Sequence, residues 1–345
     1  MTGREYWPTG EWRAAEPAAA GMDADKLAAL DRQIPALHGN INGVVVVRRG
    51  TIVYERYFNR FGPGDAHNVA SVTKSVVSAL VGIAIDEGLI RDVDQKVLDF
   101  FPEYSAAPGD FQKRSITIRH LLNMTAPFAW KTTDARRFEP LDRLRRQRDW
   151  VTYTLNLLGL NGQPGKFQYC TAGTHLLSAV ISRAAGMPAR EFANRRLFKP
   201  LGMNEIPDYE MKSFGLEDVF GKNVRGWIKD PAGITVGGFG LTMTARDMAR
   251  FGFLYLNRGC WDGETVVSEE WVEASTAMND NKYSYLWWLR EENGLFSFAA
   301  LGSGGSAICI IPKKELVIAI AAKIIAKPRD RWELIEECIL PAVLD

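Results

Sequence analysis

Ser71-Val72-Thr73-Lys74-Ser75-Val76-Val77-Ser78-Ala79-Leu80-Val81-Gly82-Ile83-Ala84-Ile85 is the stretch whose reading decides the fold. It is too long for a single strand, and Gly88 supplies a stop, so the pattern predicts a helix over residues 72–87. Its apolar residues lie nearly all round the cylinder, which places the helix in the middle of the protein. A buried helix that opens on Ser71 and carries Lys74 one turn later needs a chemical reason. Residues i and i+3 share a helical face, so the ammonium sits beside the hydroxyl. Burial pushes a lysine toward its neutral form, which can take a proton from serine. A helix N-terminus adds partial positive charge and free N–H groups, both of which favour an oxyanion formed there. The stretch therefore predicts Ser71 as a nucleophile and Lys74 as its base. A chain of this length produces a Ser-x-x-Lys about once by chance. This chain has one, and it falls at the start of the most apolar helix.

Outward from that helix, the upstream runs 41–48 and 51–58 are rich in β-branched residues and flank Arg49-Gly50, which predicts a β-hairpin. Residues 22–37 carry helical periodicity with Asp23 as N-cap, and residues 1–20 read as an irregular arm. Downstream, a short helix is expected over 118–124, capped by Thr117, followed by a long connection over 125–150. Further helices are expected over 149–158, 172–185 and 245–257, the last capped by Thr244. The chain then returns to strands over 295–301, 306–311 and 315–322, with Pro312-Lys313-Lys314 as a tight turn, and closes on a helix over 330–340. Two strands early and three late predict one sheet assembled from both chain ends. The expected class is α+β: an antiparallel sheet flanked by helices, with a largely helical inserted lobe. Residues 1–80 and 245–345 would form the sheet domain and 81–244 the helical one, with the active site between them.

The bulk numbers narrow the function classes. With 345 residues, 46% hydrophobic and 24% charged, the chain has ample material for a large core. A net charge of +1 implies no general attraction to nucleic acid or to an acidic membrane. Cys170, Cys260, Cys309 and Cys338 are far apart, as are His38, His67, His120 and His175, so no zinc-type spacing is visible. The first seventeen residues lack the apolar run of a signal peptide, and no run approaches the length of a membrane span. The expectation is a cytoplasmic protein with reduced thiols, acting on a small molecule as a monomer or homodimer.

A serine–lysine nucleophile needs a second proton relay and an oxyanion hole. Tyr169 ends the turn-rich segment 162–171 just before a helix, where a loop side chain can point into a cleft. It could equally pack beneath that loop with its hydroxyl on a backbone group. Gly302, Gly304 and Gly305 lie within Leu301-Gly302-Ser303-Gly304-Gly305-Ser306, where a ligand can approach the backbone closely. A bulge or hairpin turn is the alternative for that segment. Trp130, Trp227, Trp287 and Trp288 are candidates to line a pocket, although a buried tryptophan is more often core.

Together these residues resemble the serine β-lactamase and penicillin-binding superfamily, for which Ser-x-x-Lys and Lys-Thr-Gly are signatures. The nearer likeness is to class C β-lactamases, family VIII carboxylesterases and 6-aminohexanoate-dimer hydrolases. The three motifs look like Ser71-Val72-Thr73-Lys74, Tyr169-Cys170-Thr171 and Gly302-Ser303-Gly304, the last able to slip by one to Ser303-Gly304-Gly305. Segments around Ile118, Gly237-Gly238, Arg246 and Trp287-Trp288 look familiar as well, and the resemblance covers roughly residues 20–340.

The resemblance implies acyl transfer by attack of Ser71, with Lys74 and Tyr169 moving the proton. The N–H groups of Ser71 and Gly305 would hold the oxyanion, or Ser306 in the slipped register. Thr171, Ser303, Gly304 and Trp130 would touch substrate. No metal or cofactor is implied. The departures matter too. Thr171 stands where class C enzymes have Asn, and Gly302 or Ser303 stands where they have the Lys that suits a substrate carboxylate. The expected activity is therefore hydrolysis of esters or small linear amides through an acyl-enzyme. The alternatives are a β-lactamase or D-alanyl-D-alanine peptidase, which would need carboxylate recognition from outside the third motif, and a catalytically silent scaffold of the same fold.

Overall fold

The run Val44-Val45-Val46-Val47 is buried at every position, because the sheet to which it belongs is covered on both faces. The computed structural model describes residues 6–130, 139–221 and 223–344. Its main sheet has seven antiparallel strands: β1 (Ile41–Arg48), β2 (Thr51–Tyr57), β3 (Tyr283–Ser284), β4 (Trp287–Glu292), β5 (Leu295–Leu301), β6 (Ala307–Ile311) and β7 (Leu316–Ala322). Their spatial order is β2-β1-β7-β6-β5-β4-β3, so the two chain ends meet where β1 pairs with β7, Val45 opposite Ala319. The fold is α+β, with the sheet built from both ends of the chain.

Side chains alternate across this sheet, as a strand period of two requires. Val45, Val47, Val317 and Ala319 face the core that holds the central helix (Val72–Asp86). Val44, Val46, Ile318 and Ile320 face a second core closed by the helix Ala24–Leu37 and by Leu334, Ile335 and Ile339 near the C-terminus. Asp23 caps the N-terminus of Ala24–Leu37 by accepting from the N–H groups of Asp25 and Lys26. The hairpin turn between β1 and β2 has Arg49 at φ 51° and Gly50 at φ 88°, the pair of positive values that suits the twist of two-residue hairpins.

The central helix is buried from Val72 through Ala84. Gly82 lets it pack tightly: a Cβ there would lie 2.5 Å from Cγ of Trp271. The helix Ala245–Leu256, capped by Thr244, lies on the sheet itself, and a Cβ at Gly252 would stand 2.6 Å from a methyl of Val317. No helix among the described residues is long and apolar enough to cross a membrane.

The structure departs from the sequence reading in three places. The C-terminal part contributes five strands to the sheet, not three. The extra pair, β3 and β4, is joined by Tyr285 at φ 36° and Leu286 at φ 68°, a left-handed turn with no glycine or asparagine to announce it. Tertiary bonds hold that turn: Tyr285 N–H to Asn123 Oδ1 (3.2 Å), Leu286 N–H to the Leu122 carbonyl (2.9 Å) and Ser75 Oγ to the Leu286 carbonyl (2.8 Å). The closing helix is not one α-helix: Arg331–Glu333 gives way to wide π-turns over Leu334–Ile339 and a tight turn over Leu340–Ala342. Pro341 has no N–H with which to continue the ladder. Within the connection 125–150 a helix forms over Glu139–Arg145, and residues 131–138 lie outside the described part.

Candidate active site

Ser71 stands at the N-terminus of the central helix because the preceding residue turns the chain sharply. Ala70 sits at φ 48°, a value that L-residues with a Cβ rarely adopt. Its N–H donates to Asn68 Oδ1 (3.0 Å) and its carbonyl accepts from Thr73 Oγ1 (2.7 Å). The Val69 N–H donates to the Leu241 carbonyl at 3.0 Å, and His67–Asn68 pairs with Thr242–Met243. The elbow is thus held from both sides before the helix begins.

One turn along, Lys74 is 1% exposed. Its Nζ lies 3.0 Å from Ser71 Oγ and donates to the Gly238 carbonyl at 2.6 Å. Gly238 is required for that approach, because a Cβ there would meet Thr171 Cγ2 at 2.5 Å. On its remaining side Lys74 looks onto the ring face of Tyr169, 5.2 Å from the centroid. Tyr169 stacks on Trp288 at 5.9 Å and meets Tyr283 edge-on at 6.2 Å. Its hydroxyl makes no hydrogen bond among the described residues. Burial, and then the neighbouring Tyr169, push the Tyr283 phenol well up, so Tyr283 stays protonated and packs as buried core behind Tyr169. Cys170, next to Tyr169, is buried, and burial pushes its thiol up to about 12, so it stays protonated near neutral pH.

Ser71 opens into a cleft of about 980 Å³. Tyr169, Thr171, Trp130 and Ser303, all expected from the sequence, line it with Ser71. Trp288 lines it as well, whereas Trp227 and Trp287 are fully buried core.

The glycine-rich segment 301–306 bears on which N–H could hold an oxyanion. Leu301, Gly302 and Ser303 face the cleft, but Gly304 and Gly305 do not. The Gly305 N–H donates to the Gly302 carbonyl at 3.3 Å and closes a tight turn over Ser303–Gly305. Gly304, expected to touch substrate, packs its backbone against Lys323 and Ile324 on the far side, and its carbonyl accepts from Asn40 Nδ2. Ser306, the donor of the slipped register, is fully buried, with its hydroxyl bonded to Ala322. The Gly302 N–H is used by the Ser306 carbonyl at 2.8 Å. That leaves the Ser303 N–H without a partner among the described residues, on the residue that borders the cleft. Gly302 is extended at φ −112°, so its need for glycine is steric: a Cβ would lie 2.3 Å from the Val69 carbonyl oxygen.

Sequence reasoning gave no role to Gly238 or Arg331. Gly238 belongs to a segment that looked familiar without saying why. Arg331 opens the C-terminal helical segment and borders the same cleft, more than 250 residues from Ser71 in the chain.

Comparisons with known proteins identify the family. The sequence model of the beta-lactamase family matches residues 24–332. A 6-aminohexanoate-dimer hydrolase from Paenarthrobacter ureafaciens is 25% identical over 341 residues, spanning 91% of this chain and 82% of the relative. Esterase EstB from Burkholderia gladioli is 26% identical over 224 residues, spanning 55% of this chain and 54% of the relative. Among solved structures, EstCE1, a hydrolase with promiscuous acyltransferase activity, superposes with a TM-score of 0.70 at 17% identity, over 95% of this chain and all of that one. With a family match over most of its length, the chain belongs to the beta-lactamase family.

Proposed function

We propose that this member of a hydrolase family cleaves esters or small linear amides through an acyl-enzyme on Ser71. The observation that carries the reading is the 3.0 Å contact between Ser71 Oγ and the buried Lys74 Nζ at the floor of the cleft. That contact is within the reach a nucleophile and its base require. Relatives named as a 6-aminohexanoate-dimer hydrolase and an esterase support the same substrate classes.

In the proposed cycle Ser71 Oγ attacks the carbonyl carbon and its proton passes to Lys74. The carbonyl π-electrons move to oxygen, and the Ser71 and Ser303 N–H groups hold that oxyanion. Collapse expels the alcohol or amine, which leaves with the proton returned through Lys74, Tyr169 bordering the path. Water then adds to the acyl-enzyme by the same route in reverse and frees the acid. Thr171 and Trp130, which line the cleft, contact substrate. The cleft lies between a sheet unit, residues 1–80 and 245–345, and a mostly helical unit, residues 81–244, with the central helix running across their boundary.

The test is a panel of p-nitrophenyl butyrate, a linear amide and nitrocefin, each with a Ser71→Ala control. Turnover of the ester or the amide that disappears in Ser71→Ala is expected. Efficient nitrocefin hydrolysis beside poor ester and amide hydrolysis would move the assignment to a β-lactamase. No turnover by the wild type, with no fluorophosphonate adduct, would leave a silent scaffold.

A further inference from the structure

We propose that Arg331 is the carboxylate anchor of the cleft, and that the preferred substrates are esters or amides carrying a carboxylate on the acyl or the leaving side. The inference rests on the hydrolase reading above and names the substrate class of that same site.

Three described cations border or underlie the cleft. Lys74 is committed to Ser71 and the Gly238 carbonyl. Lys166 is exposed on the rim turn, where water and salt screen it. Arg331 is different. It is half-buried, and among the described residues it makes one hydrogen bond, Nη1 to the Ser306 carbonyl at 3.0 Å. No carboxylate among them pairs with it: its neighbour Asp330 turns away to cap the Trp332 N–H. Burial accordingly pulls this guanidinium below its usual range, with only Asp330 opposing. A desolvated cation with its remaining donors unmatched is a site that an anion completes.

The bond to Ser306 also fixes where that anion would sit. The Ser306 carbonyl accepts from both Gly302 N–H and Arg331, so the turn that presents the Ser303 N–H and the guanidinium share one support. A planar fork anchored on one nitrogen keeps others free for a carboxylate. The cation missing from the third motif is thus replaced from elsewhere in the chain. A lysine could not be restored at Gly302 in any case, since its Cβ would strike the Val69 carbonyl.

The experiment compares kcat/KM for p-nitrophenyl hemiglutarate (acyl carboxylate) and 4-carboxyphenyl butyrate (leaving-group carboxylate) with p-nitrophenyl butyrate. In Arg331→Met, the ratio of at least one carboxylate probe to the neutral ester is expected to fall about ten- to hundredfold, the worth of a charged hydrogen bond. Arg331→Lys should recover part of the loss, and Lys166→Gln should shift the ratio less than about threefold, as an exposed charge does. Should Arg331→Met not fold, the wild type still decides: at least one carboxylate probe should outcompete its primary-amide analogue. Unchanged ratios in Arg331→Met, or equal turnover of acid and amide analogues, would overturn the anchor while leaving the hydrolase intact. Absence of any ester turnover together with an unlabelled Ser71 would overturn both.

Discussion

The two walls of the cleft are built by opposite means. The wall of Ser71 and Lys74 is local: four consecutive residues at one helix start place Ser71 Oγ and Lys74 Nζ, the proposed nucleophile and base, 3.0 Å apart. Helical geometry does most of that work, because i and i+3 side chains meet whatever surrounds them. The opposite wall is assembled from distant segments. Ser303 comes from a turn after β5, Trp288 from a strand held by a left-handed turn, and Arg331 from the start of the C-terminal helical segment. Each is positioned by backbone contacts with partners far away in sequence, such as Val69 for Gly302 and Ser306 for Arg331. A local wall fails by losing a functional group. An assembled wall fails by losing a fit.

The largest effect tests the local wall. Lys74→Arg keeps a basic side chain but installs a group that stays protonated throughout the working range and so cannot take the Ser71 proton. kcat should fall by about 10²–10⁴-fold, the usual worth of a general base. Stopped-flow or steady-state assays with p-nitrophenyl butyrate would show it, and a rate near wild type would remove Lys74 from the mechanism.

Gly302→Ala tests the assembled wall by fit alone. The new Cβ would lie 2.3 Å from the Val69 carbonyl, so the turn after β5 must move away from the helix start. A shift of about 1 Å is enough to cost roughly a hundredfold in turnover. The accompanying stability loss should be about 1–3 kcal/mol, as for other overpacked sites. Equilibrium urea unfolding beside the activity assay separates the two. A fully active, fully stable Gly302→Ala would show that the close approach does not set the Ser303 N–H.

How much of this was legible follows the same division. The central helix, the first hairpin and the last three strands were readable because each rests on a short-range period or a turn residue. Ser71, Lys74 and Tyr169 were found as candidates for the same reason. Strands β3 and β4 were missed because Tyr285 and Leu286 make their turn under tertiary constraint, at roughly 1–3 kcal/mol of strain each, with no local signal. The glycines were read as flexible or close to ligand. The structure gives them separate reasons: Gly304 a positive φ, Gly302 and Gly238 a steric limit. The oxyanion donor is proposed at Ser303 in place of Gly305 because a tight turn uses the Gly305 N–H. Arg331 left no trace in the motifs, since its role depends on which face of a distant segment meets the cleft.

The smallest effect concerns the support beneath the elbow. His67 is buried in the short ladder just before Ser71, accepting at Nδ1 from Asn42 Nδ2 at 3.3 Å, and burial lowers its pKa to about 4. Asp65 raises it and Arg225 lowers it further, by smaller amounts. The folded state therefore disfavours the protonated ring, while the unfolded chain takes up a proton near pH 6.5. Stability from this group is intact above pH 6.5 and is lost as pH falls from there toward 4, by at most about 3 kcal/mol. Urea unfolding of wild type and His67→Gln at pH 7.5 and 5 should show the wild type losing more. An equal loss in both would mean that other groups carry the acid sensitivity.

The account stands or falls on Ser71 as the reacting atom. Peptide mapping after treatment with a fluorophosphonate tests this directly. One adduct on the peptide containing Ser71, absent from Ser71→Ala with the fold preserved by circular dichroism, is the predicted result. An adduct on another serine, or ester turnover that survives in Ser71→Ala, would contradict it.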